Sequence, residues 1–423
     1  MPLKPKILTT LATYDLKQFT GDLVAGVTVA MVALPLSLAI AIASGAGPEK
    51  GLITAIVAGF LISLLGGSRV QIGGPTGAFI VVVFGVIAEH GYDGLVLATF
   101  MAGIIMLVAG YLRAGNLVAY VPEPVINGFT IGIGIIIATS QLKDFLGLSV
   151  AEVPAEFLGK VEALWAARDS LSVAAIGIGL VTMVVIVALR RIAPRFPGLI
   201  VAVGLTSGAV ALGALPVDTI FSRFGDLPAT LPWPAIPEVS WARIIELIPS
   251  ALVIAFLASV ESLLSAMVAD RMIDGKHRPN AEVLAQGFAN IGSALFGGLP
   301  ATGAIARTAT NVRAGGKTPV AGIVHAITIL LVMLMAAPLA GYLAMPALAG
   351  LLILTAWNMS EPHKWGGYLQ GRSSDRFLLL LTMVLTVFAD LTVAIAVGVC
   401  VGLALRLRQH KGEFQKDWTP PER

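Results

Sequence analysis

Two short motifs, far apart in the chain, carry the residues best suited to binding a ligand. GPTGA occupies residues 74–78 and PATGA residues 300–304. Each motif joins a threonine, Thr76 or Thr302, to a glycine that lets a ligand approach the backbone. A threonine hydroxyl can cap a helix start, where free N–H groups carry a partial positive charge. Two such starts directed at one point predict an anion-binding site.

A cationic side chain follows the second motif. Arg307 lies five residues after Thr302, about 7.5 Å along a helix, in an apolar region where an arginine is costly and usually functional. We predict that it supplies fixed positive charge beside the anion, and a side chain that snorkels toward water is the alternative. The predicted anion-site residues of the two motifs and their helix are Thr76, Gly77, Ala78, Thr302, Gly303, Ala304 and Arg307.

A lone carboxylate, Glu261, stands in the apolar run FLASVESLLSAMVAD. A carboxylate in lipid must be paired, protonated or bound to a cation, and symport of an anion with a cation needs such a group. We predict that Glu261 takes up a proton, or holds sodium together with Ser265 and backbone oxygens. A structural hydrogen bond to another helix is the simpler alternative. Other buried polar residues, Gln286, Asn290 and His325 among them, are predicted to join neighbouring helices.

The first long apolar run contains a proline, in ALPLSLAIAIASG. Pro35 denies its helix a hydrogen bond, and a break there would turn Leu36 and Ile40 toward the site as an apolar wall. A proline kink without function is the alternative. The 226-residue shift that carries Thr76 onto Thr302 also carries Pro35 onto Glu261, so both are expected near one site.

The composition places these residues in a membrane. Of the 423 residues 57% are hydrophobic and 13% are charged, against about a quarter charged in soluble domains. The net charge of +3 gives no indication of nucleic-acid binding. Cys400 is the single cysteine, which excludes an internal disulfide. The sequence contains no Walker loop, metal-ligand cluster or catalytic triad, so neither an enzyme nor a bound cofactor is expected.

Apolar runs predict an all-α membrane protein of fourteen segments in two sets of seven. The third segment of each set, 75–88 and 302–313, is too short to cross about 30 Å of hydrocarbon, a pattern typical of transporter sites. Because seven is odd, the two repeats are inverted. Short strands at 69–74 and 295–300 should lead into the two half-helices. The predicted segments are 22–43, 50–65, 75–88, 94–112, 123–141, 171–190, 197–214, 247–269, 282–296, 302–313, 319–337, 343–356, 375–389 and 391–408.

Charge and composition predict how these parts are distributed across the membrane. Lysines and arginines gather in loops on one side, whereas the loop at 143–169 is rich in acidic residues. The positive-inside rule then puts both termini in the cytoplasm, at a plasma membrane. The predicted units are repeat one at 1–215, an extracellular linker at 216–246, repeat two at 247–408 and a cytoplasmic tail at 409–423.

The chain resembles the SulP (sulfate permease) family of anion transporters, and bacterial members most closely. The resemblance extends to about residue 408 and is most specific at PLSLAIAIASGAGPEKGL, GGSRVQIGGPTGAF and FGGLPATGAIARTATNVRAGGKTPVAG. It implies a core domain of segments one to four and eight to eleven, a gate domain of the others, and commonly a homodimer. It also implies a substrate between segments one, three, eight and ten.

The resemblance implies roles for single residues as well. Glu261 falls where bacterial bicarbonate transporters of the family carry a coupling-ion carboxylate. Many members have a glutamine and an aromatic residue where this chain has Leu36 and Ile40, so sulfate selectivity is not implied. The STAS domain usual in the family has no counterpart in this sequence. The positions that match the family's substrate pocket are Leu36, Ile40, Thr76, Thr302 and Arg307.

These features predict a secondary transporter that moves a small anion by alternating access, coupled to a proton or sodium. Bicarbonate, a dicarboxylate and sulfate all stay open as substrates. An anion channel or an electromotile protein could use the same fold. A nucleobase permease of this architecture would want acidic residues in segments eight and ten, and segment ten here holds Arg307.

Overall fold

The computed structural model describes residues 3–115, 122–150, 153–193, 196–389 and 391–409. The predicted cytoplasmic tail, apart from its first residue, lies outside the described residues. Up to residue 215 the helices are α1 (Ile7–Thr10), α2 (Leu16–Ala43), α3 (Pro48–Leu65), α4 (Ile80–Tyr111), α5 (Glu123–Leu146), α6 (Phe157–Ala166), α7 (Val173–Ile192) and α8 (Gly198–Leu212). Beyond it they are α9 (Ile220–Phe224), α10 (Trp241–Ile273), α11 (Pro279–Leu295), α12 (Ile305–Arg313), α13 (Val320–Gly341), α14 (Met345–Met359), α15 (Trp365–Gln370), α16 (Ser373–Phe388) and α17 (Leu391–Gln409).

The helices confirm the predicted all-α membrane fold. Each of the fourteen predicted segments overlaps a helix, and α4 takes in most of both the third and the fourth. The two parts of α4 meet at Gly91, whose φ of +72° interrupts the helical backbone in a region that glycine adopts readily. Seven helices in the described ranges are long and apolar enough to cross a membrane.

Local sequence explains where several helices begin. Asp15, Ser172 and Ser240 stand before α2, α7 and α10, and their side chains accept hydrogen bonds from backbone N–H groups of the first turn. Such caps satisfy donors that have no partner within the helix. Proline stands in the first turn of α3, α5, α11 and α14, where its missing N–H costs nothing.

One expectation about irregular backbone is wrong. α2 runs through Pro35 without a break, from Leu16 to Ala43, because tightly packed neighbouring helices let a membrane helix tolerate a proline. The predicted linker at 216–246 contains helix as well as irregular backbone. It contains α9, which begins with a capping box at Thr219, and α10 already begins at Trp241. Residues 231–237, rich in proline, are non-helical, since proline removes a backbone donor and clashes with the preceding turn.

A two-stranded antiparallel sheet lies at the centre of the fold. β1 (Gly73–Gly74) pairs with β2 (Thr302–Gly303), with Gly73 opposite Gly303 and Gly74 opposite Thr302. The first strand falls within the predicted 69–74. The second prediction is wrong by several residues, because backbone groups at 299 and 301 bind side chains of α3 and α11 and only 302–303 is left to pair.

The helices pack in two groups, which agree with the predicted core and gate. The core group contains α2, α3, α4 and α10 to α13, and the gate group contains α5, α7, α8, α14, α16 and α17. Contacts between the groups join α2 to α8 and α14, α4 to α5, and α10 to α17. Both halves of the chain therefore contribute to each group, as an inverted repeat requires.

Contacts at the helix ends agree with the inverted order. Near the N-terminus, Lys6 N donates to Gly66 O at the end of α3 (2.9 Å), and Arg278 Nη1 donates to Lys4 O (2.7 Å). The N-terminus, the end of α3 and the α10–α11 turn therefore share one end of the molecule. At the opposite end, the linker residue Ala235 donates its N–H to Leu295 O (2.7 Å).

Candidate functional site

The two sequence motifs meet at the strand pair. After β1, the chain passes through Pro75 and Thr76 into a 3-10 turn, Gly77–Phe79, that continues as α4. After β2, the chain passes through Ala304 into α12. Because Gly74 pairs with Thr302, both helix starts lie beside the same short sheet. The predicted meeting of the two interrupted segments is confirmed.

The threonine hydroxyls do not cap these helices, so that part of the prediction is wrong. Thr302 Oγ1 donates to the carbonyl oxygen of Ala258 in α10 (2.8 Å), and Ala304 holds the N-cap position of α12. Thr76 holds the N-cap position of the Gly77–Phe79 turn without a side-chain cap bond. Its Oγ1 is buried and has no hydrogen-bond partner among the described residues.

Side chains of neighbouring helices satisfy the backbone that leads into α12. Asn290 Oδ1 accepts from Ala301 N (2.9 Å) and Asn290 Nδ2 donates to Ala301 O (2.9 Å). Thr54 Oγ1 accepts from Leu299 N (2.7 Å), and Ser293 Oγ donates to Leu299 O (2.6 Å). Irregular backbone at membrane depth needs such partners. Asn290 is predicted to join two helices, and it binds the non-helical backbone of Ala301 instead.

A buried carboxylate supports the backbone that leads into β1. Glu282 is fully buried, and its Oε2 accepts from Gly67 N (2.8 Å) and Ser68 N (3.1 Å). Its Oε1 accepts from Ser262 Oγ and Gln286 Nε2, both 3.1 Å away. Four donors compensate the buried charge. Glu282 gives no functional signal in the sequence, because an acidic residue in a first helical turn is usually solvated.

Arg307 lies within the protein interior, as predicted. Its side chain is 1% exposed, and Nη2 donates to Ser37 Oγ (3.1 Å) and Pro75 O (3.0 Å). Nε and Nη1 have no hydrogen-bond partner, and no carboxylate of the described residues lies within ion-pair distance. The guanidinium therefore links α12 to α2 and to the first motif while its charge is unpaired.

The remaining predicted anion-site residues line the contact between core and gate or are buried beside it. Leu36 and Ile40 are buried in the apolar core with Ala78. A Cβ placed on Gly77 would lie 3.0 Å from Met359 Sδ in α14 and 3.7 Å from Ile137 in α5. The gate thus covers the first motif in this conformation. Gly303 lies against the Gln71 side chain, and Ala304 is buried.

Glu261 lies at the same boundary, on the side of α10 that faces the gate. It lines a cavity of about 20 Å³, room for one water molecule. Its carboxylate has no hydrogen bond or ion pair with a described residue. Ser265, by contrast, is buried against α12, where its hydroxyl lies 3.2 Å from Thr308 Oγ1. The other lining residues are Val125, Ile126, Phe129, Thr130, Phe256, Leu257, Val260 and Val399.

The two predicted coupling residues face different neighbours. No residue lining the Glu261 cavity belongs to the two motifs, and no hydrogen bond among the described residues joins Glu261 to Ser265 or Pro35. Ser265 bonds instead to Thr308, next to Arg307. The described residues contain no group of three or more His, Cys, Asp or Glu that could hold a metal ion. A sodium site at Glu261 therefore stays a prediction that needs backbone oxygens or water as further ligands.

Two inverted repeats that meet at a pair of half-helices define a membrane transport protein. The chain belongs to the Sulfate permease family, whose sequence profile matches residues 19–382. It is 42% identical over 398 residues to "Putative sulfate transporter YvdB" of Bacillus subtilis, covering 94% of this chain and 75% of the relative. It is 32% identical over 406 residues to "Bicarbonate transporter BicA" of Picosynechococcus sp., covering 93% of this chain and 71% of the relative.

Solved structures show the same architecture. The transmembrane domain of a cyanobacterium bicarbonate transporter BicA superposes with a TM-score of 0.80 at 30% identity, covering 92% of this chain and 98% of that one. The structure of SLC26A9 superposes with a TM-score of 0.87 at 18% identity, covering 98% of this chain and 69% of that one. The second likeness concerns the fold alone.

Proposed function

We propose that this protein carries a small anion across the membrane by alternating access, with the anion held between the two motifs beside Arg307. The observation that carries the proposal is the fully buried guanidinium, of which two nitrogens, Nε and Nη1, have no hydrogen-bond partner and no carboxylate nearby among the described residues. A buried charge is costly unless it is paired. An anion at the helix starts would supply the missing opposite charge.

Other features of the site support an anionic ligand. The starts of α12 and of the turn before α4 bring backbone N–H groups to the strand pair, where the helix dipoles favour negative charge. The buried, unpartnered hydroxyl of Thr76 offers one further hydrogen bond. Leu36 and Ile40 supply apolar surface nearby. Bicarbonate and sulfate, which appear in the names of the relatives, are the first substrates to test, with a dicarboxylate as the third.

A carrier fits the site better than an open channel. Met359 and Ile137 of the gate lie over Gly77, so the motifs are covered and a movement between core and gate must expose them. We propose that Glu261, which lies at that boundary, couples the movement to a proton or sodium. A homodimer in the plasma membrane, with both termini in the cytoplasm, completes the proposal.

The test is uptake by purified protein in liposomes, with labelled bicarbonate, sulfate and a dicarboxylate, under proton and sodium gradients imposed separately. Arg307→Ala should weaken the apparent affinity about tenfold or more, because a charge-assisted hydrogen bond contributes about 1.5–3 kcal/mol. Arg313→Ala, at the exposed end of the same helix, is the matched control and should change the affinity less than about twofold. Equal affinities in the two variants would refute the charge role, and uptake of none of the anions would refute the proposed function.

A further inference from the structure

Buried polar groups without partners lie behind the strand pair, on the side of α3. They are Nε and Nη1 of Arg307, both ring nitrogens of His325 in α13, and the hydroxyl of Ser63 in α3. Arg307 is 1% exposed, His325 0% and Ser63 4%. A buried donor or acceptor without a partner costs about 1–3 kcal/mol. The number of unpartnered groups at one interface indicates that they share hydrogen-bond partners other than protein side chains.

One face of α3 sets the spacing of these groups. A Cβ placed on Gly74 would collide with Arg307 Nη1 and would lie 3.5 Å from the Cα of Ala55 in α3. Arg307 Nη1 therefore lies near Ala55. One turn further along α3, a Cβ on Gly59 would lie 3.8 Å from His325 Nδ1. The guanidinium and the imidazole therefore lie against successive turns of α3.

The third group continues the same line. Ser63 follows Gly59 by four residues, and a Cβ placed on Gly322 of α13 would collide with the Ser63 hydroxyl. Residues four apart on a helix lie about 5–6 Å from each other. Two hydrogen bonds of about 2.8 Å, made by one water molecule, span that distance.

Chemistry favours water as the bridging molecule. Arg307 can only donate, whereas a neutral imidazole and a serine hydroxyl can each donate and accept. No carboxylate among the described residues pairs with Arg307 or with His325. A neutral imidazole can therefore accept, through water, a hydrogen bond that starts at the guanidinium. Buried waters typically make about three such bonds.

We propose that His325 is a positioning residue for Arg307, which it holds through a water-bridged chain running on to Ser63. The chain takes one N–H of Nη1, which lies against Gly74, while Nη2 binds Ser37 and Pro75. The N–H of Nε and the second N–H of Nη1 are then left for the anion. The proposal rests on the proposed function in so far as Arg307 serves an anion. Its first test does not depend on transport.

That test is a double-mutant cycle on the melting temperature in detergent without substrate anion. His325→Leu and Arg307→Met each remove one member of the water-bridged chain, so the double variant should lose clearly less than the sum of the single losses. Ile329→Ala, at an equally buried position one turn along α13, should combine additively with Arg307→Met. Additive losses for His325 and Arg307 would overturn the proposal. If His325→Leu does not fold, Ser63→Ala takes its place with the same expectation.

Uptake in liposomes gives the second test. His325→Leu should raise KM for the anion about five- to tenfold, as the loss of about one hydrogen bond predicts, and should leave kcat little changed. His325→Gln keeps an acceptor and should stay within about twofold of the wild type. Equal effects of leucine and glutamine would reveal a mere packing role and overturn the proposal. Wild-type protein without uptake would refute the proposed function, while the thermal cycle still decides the role of His325.

Discussion

Arg307 Nη2 donates a hydrogen bond to the main-chain carbonyl of Pro75, 3.0 Å away. The bond joins α12, in the second half of the chain, to the residue that precedes Thr76 in the first half. Together with the pairing of Gly74 and Thr302, this bond joins the two motifs into one structural unit. Since both belong to the core group, an anion held between them would move with the core when the core moves against the gate.

Gly74→Ala tests whether this contact sets the affinity for the anion. Gly74 has a φ of +147°, which strains any side chain, and its added Cβ would collide with Arg307 Nη1. We expect the displaced guanidinium to weaken the apparent affinity about tenfold in a liposome uptake assay. Gly85→Ala in α4 is the control, because its Cβ would meet nothing within 4 Å. A Gly74→Ala variant with wild-type affinity would contradict the link between Arg307 position and binding.

Asn290→Ala should destabilise the lead-in to α12. The change leaves both backbone groups of Ala301 without their side-chain partner in a fully buried site. We expect a loss of about 2–4 kcal/mol, since each unsatisfied group costs about 1–3 kcal/mol. Ser293→Ala removes one bond, to Leu299 O, and should cost less. Thermal unfolding in detergent measures both variants, and an equal or reversed order would argue against the double contact at Asn290.

The sequence predicts those features that depend on local signals. Apolar length reveals the membrane segments, and the repeated motif reveals that Thr76 and Thr302 meet. The buried Arg307 follows from its short distance to the second motif. The bonds that hold the site depend on residues far apart in sequence and could not be read from any pattern. Glu282, for example, binds Gly67 and Ser68, which lie on the other half of the chain.

Errors arose where packing overrides local preference. Pro35 lowers the stability of an isolated helix, but α2 is continuous because its neighbours compensate. Threonine is a common N-cap, but Thr302 binds the carbonyl of Ala258 instead. The sequence predicts a bond from His325 to a neighbouring helix, but its ring has no hydrogen-bond partner among the described residues. Each outcome depends on residues that are close in space but distant in sequence.

Glu261→Gln should separate coupling from binding. The carboxylate lines the core–gate cavity and has no hydrogen bond or ion pair with a described residue, so the isosteric change should shift the melting temperature little. We expect gradient-driven uptake to be lost and exchange of anion at equal concentrations to persist. Glu246→Gln, near the other end of α10 beside His90, should keep gradient-driven uptake. Gradient-driven uptake at the wild-type rate in Glu261→Gln would remove the coupling role.

Tyr14, which lies before α2, predicts a dependence of stability on alkaline pH. Its hydroxyl donates to Asp22 Oδ2 (3.1 Å), and burial together with the negative charge of Asp22 raises the pKa of Tyr14 to about 12, from about 10 in an unfolded chain. The folded state therefore favours the neutral phenol, so its stabilising contribution is complete below pH 10 and is lost as the pH rises to about 12.

Comparison with Tyr14→Phe isolates this contribution. The phenylalanine variant lacks both the hydrogen bond and the ionisation, so the wild type should melt at a higher temperature below pH 10, and the difference should shrink between about pH 10 and 12. Tyr111→Phe, at an exposed position, should differ from the wild type equally at every pH. A difference for Tyr14→Phe that is constant from pH 8 to 12 would contradict a raised pKa of Tyr14 in the folded state.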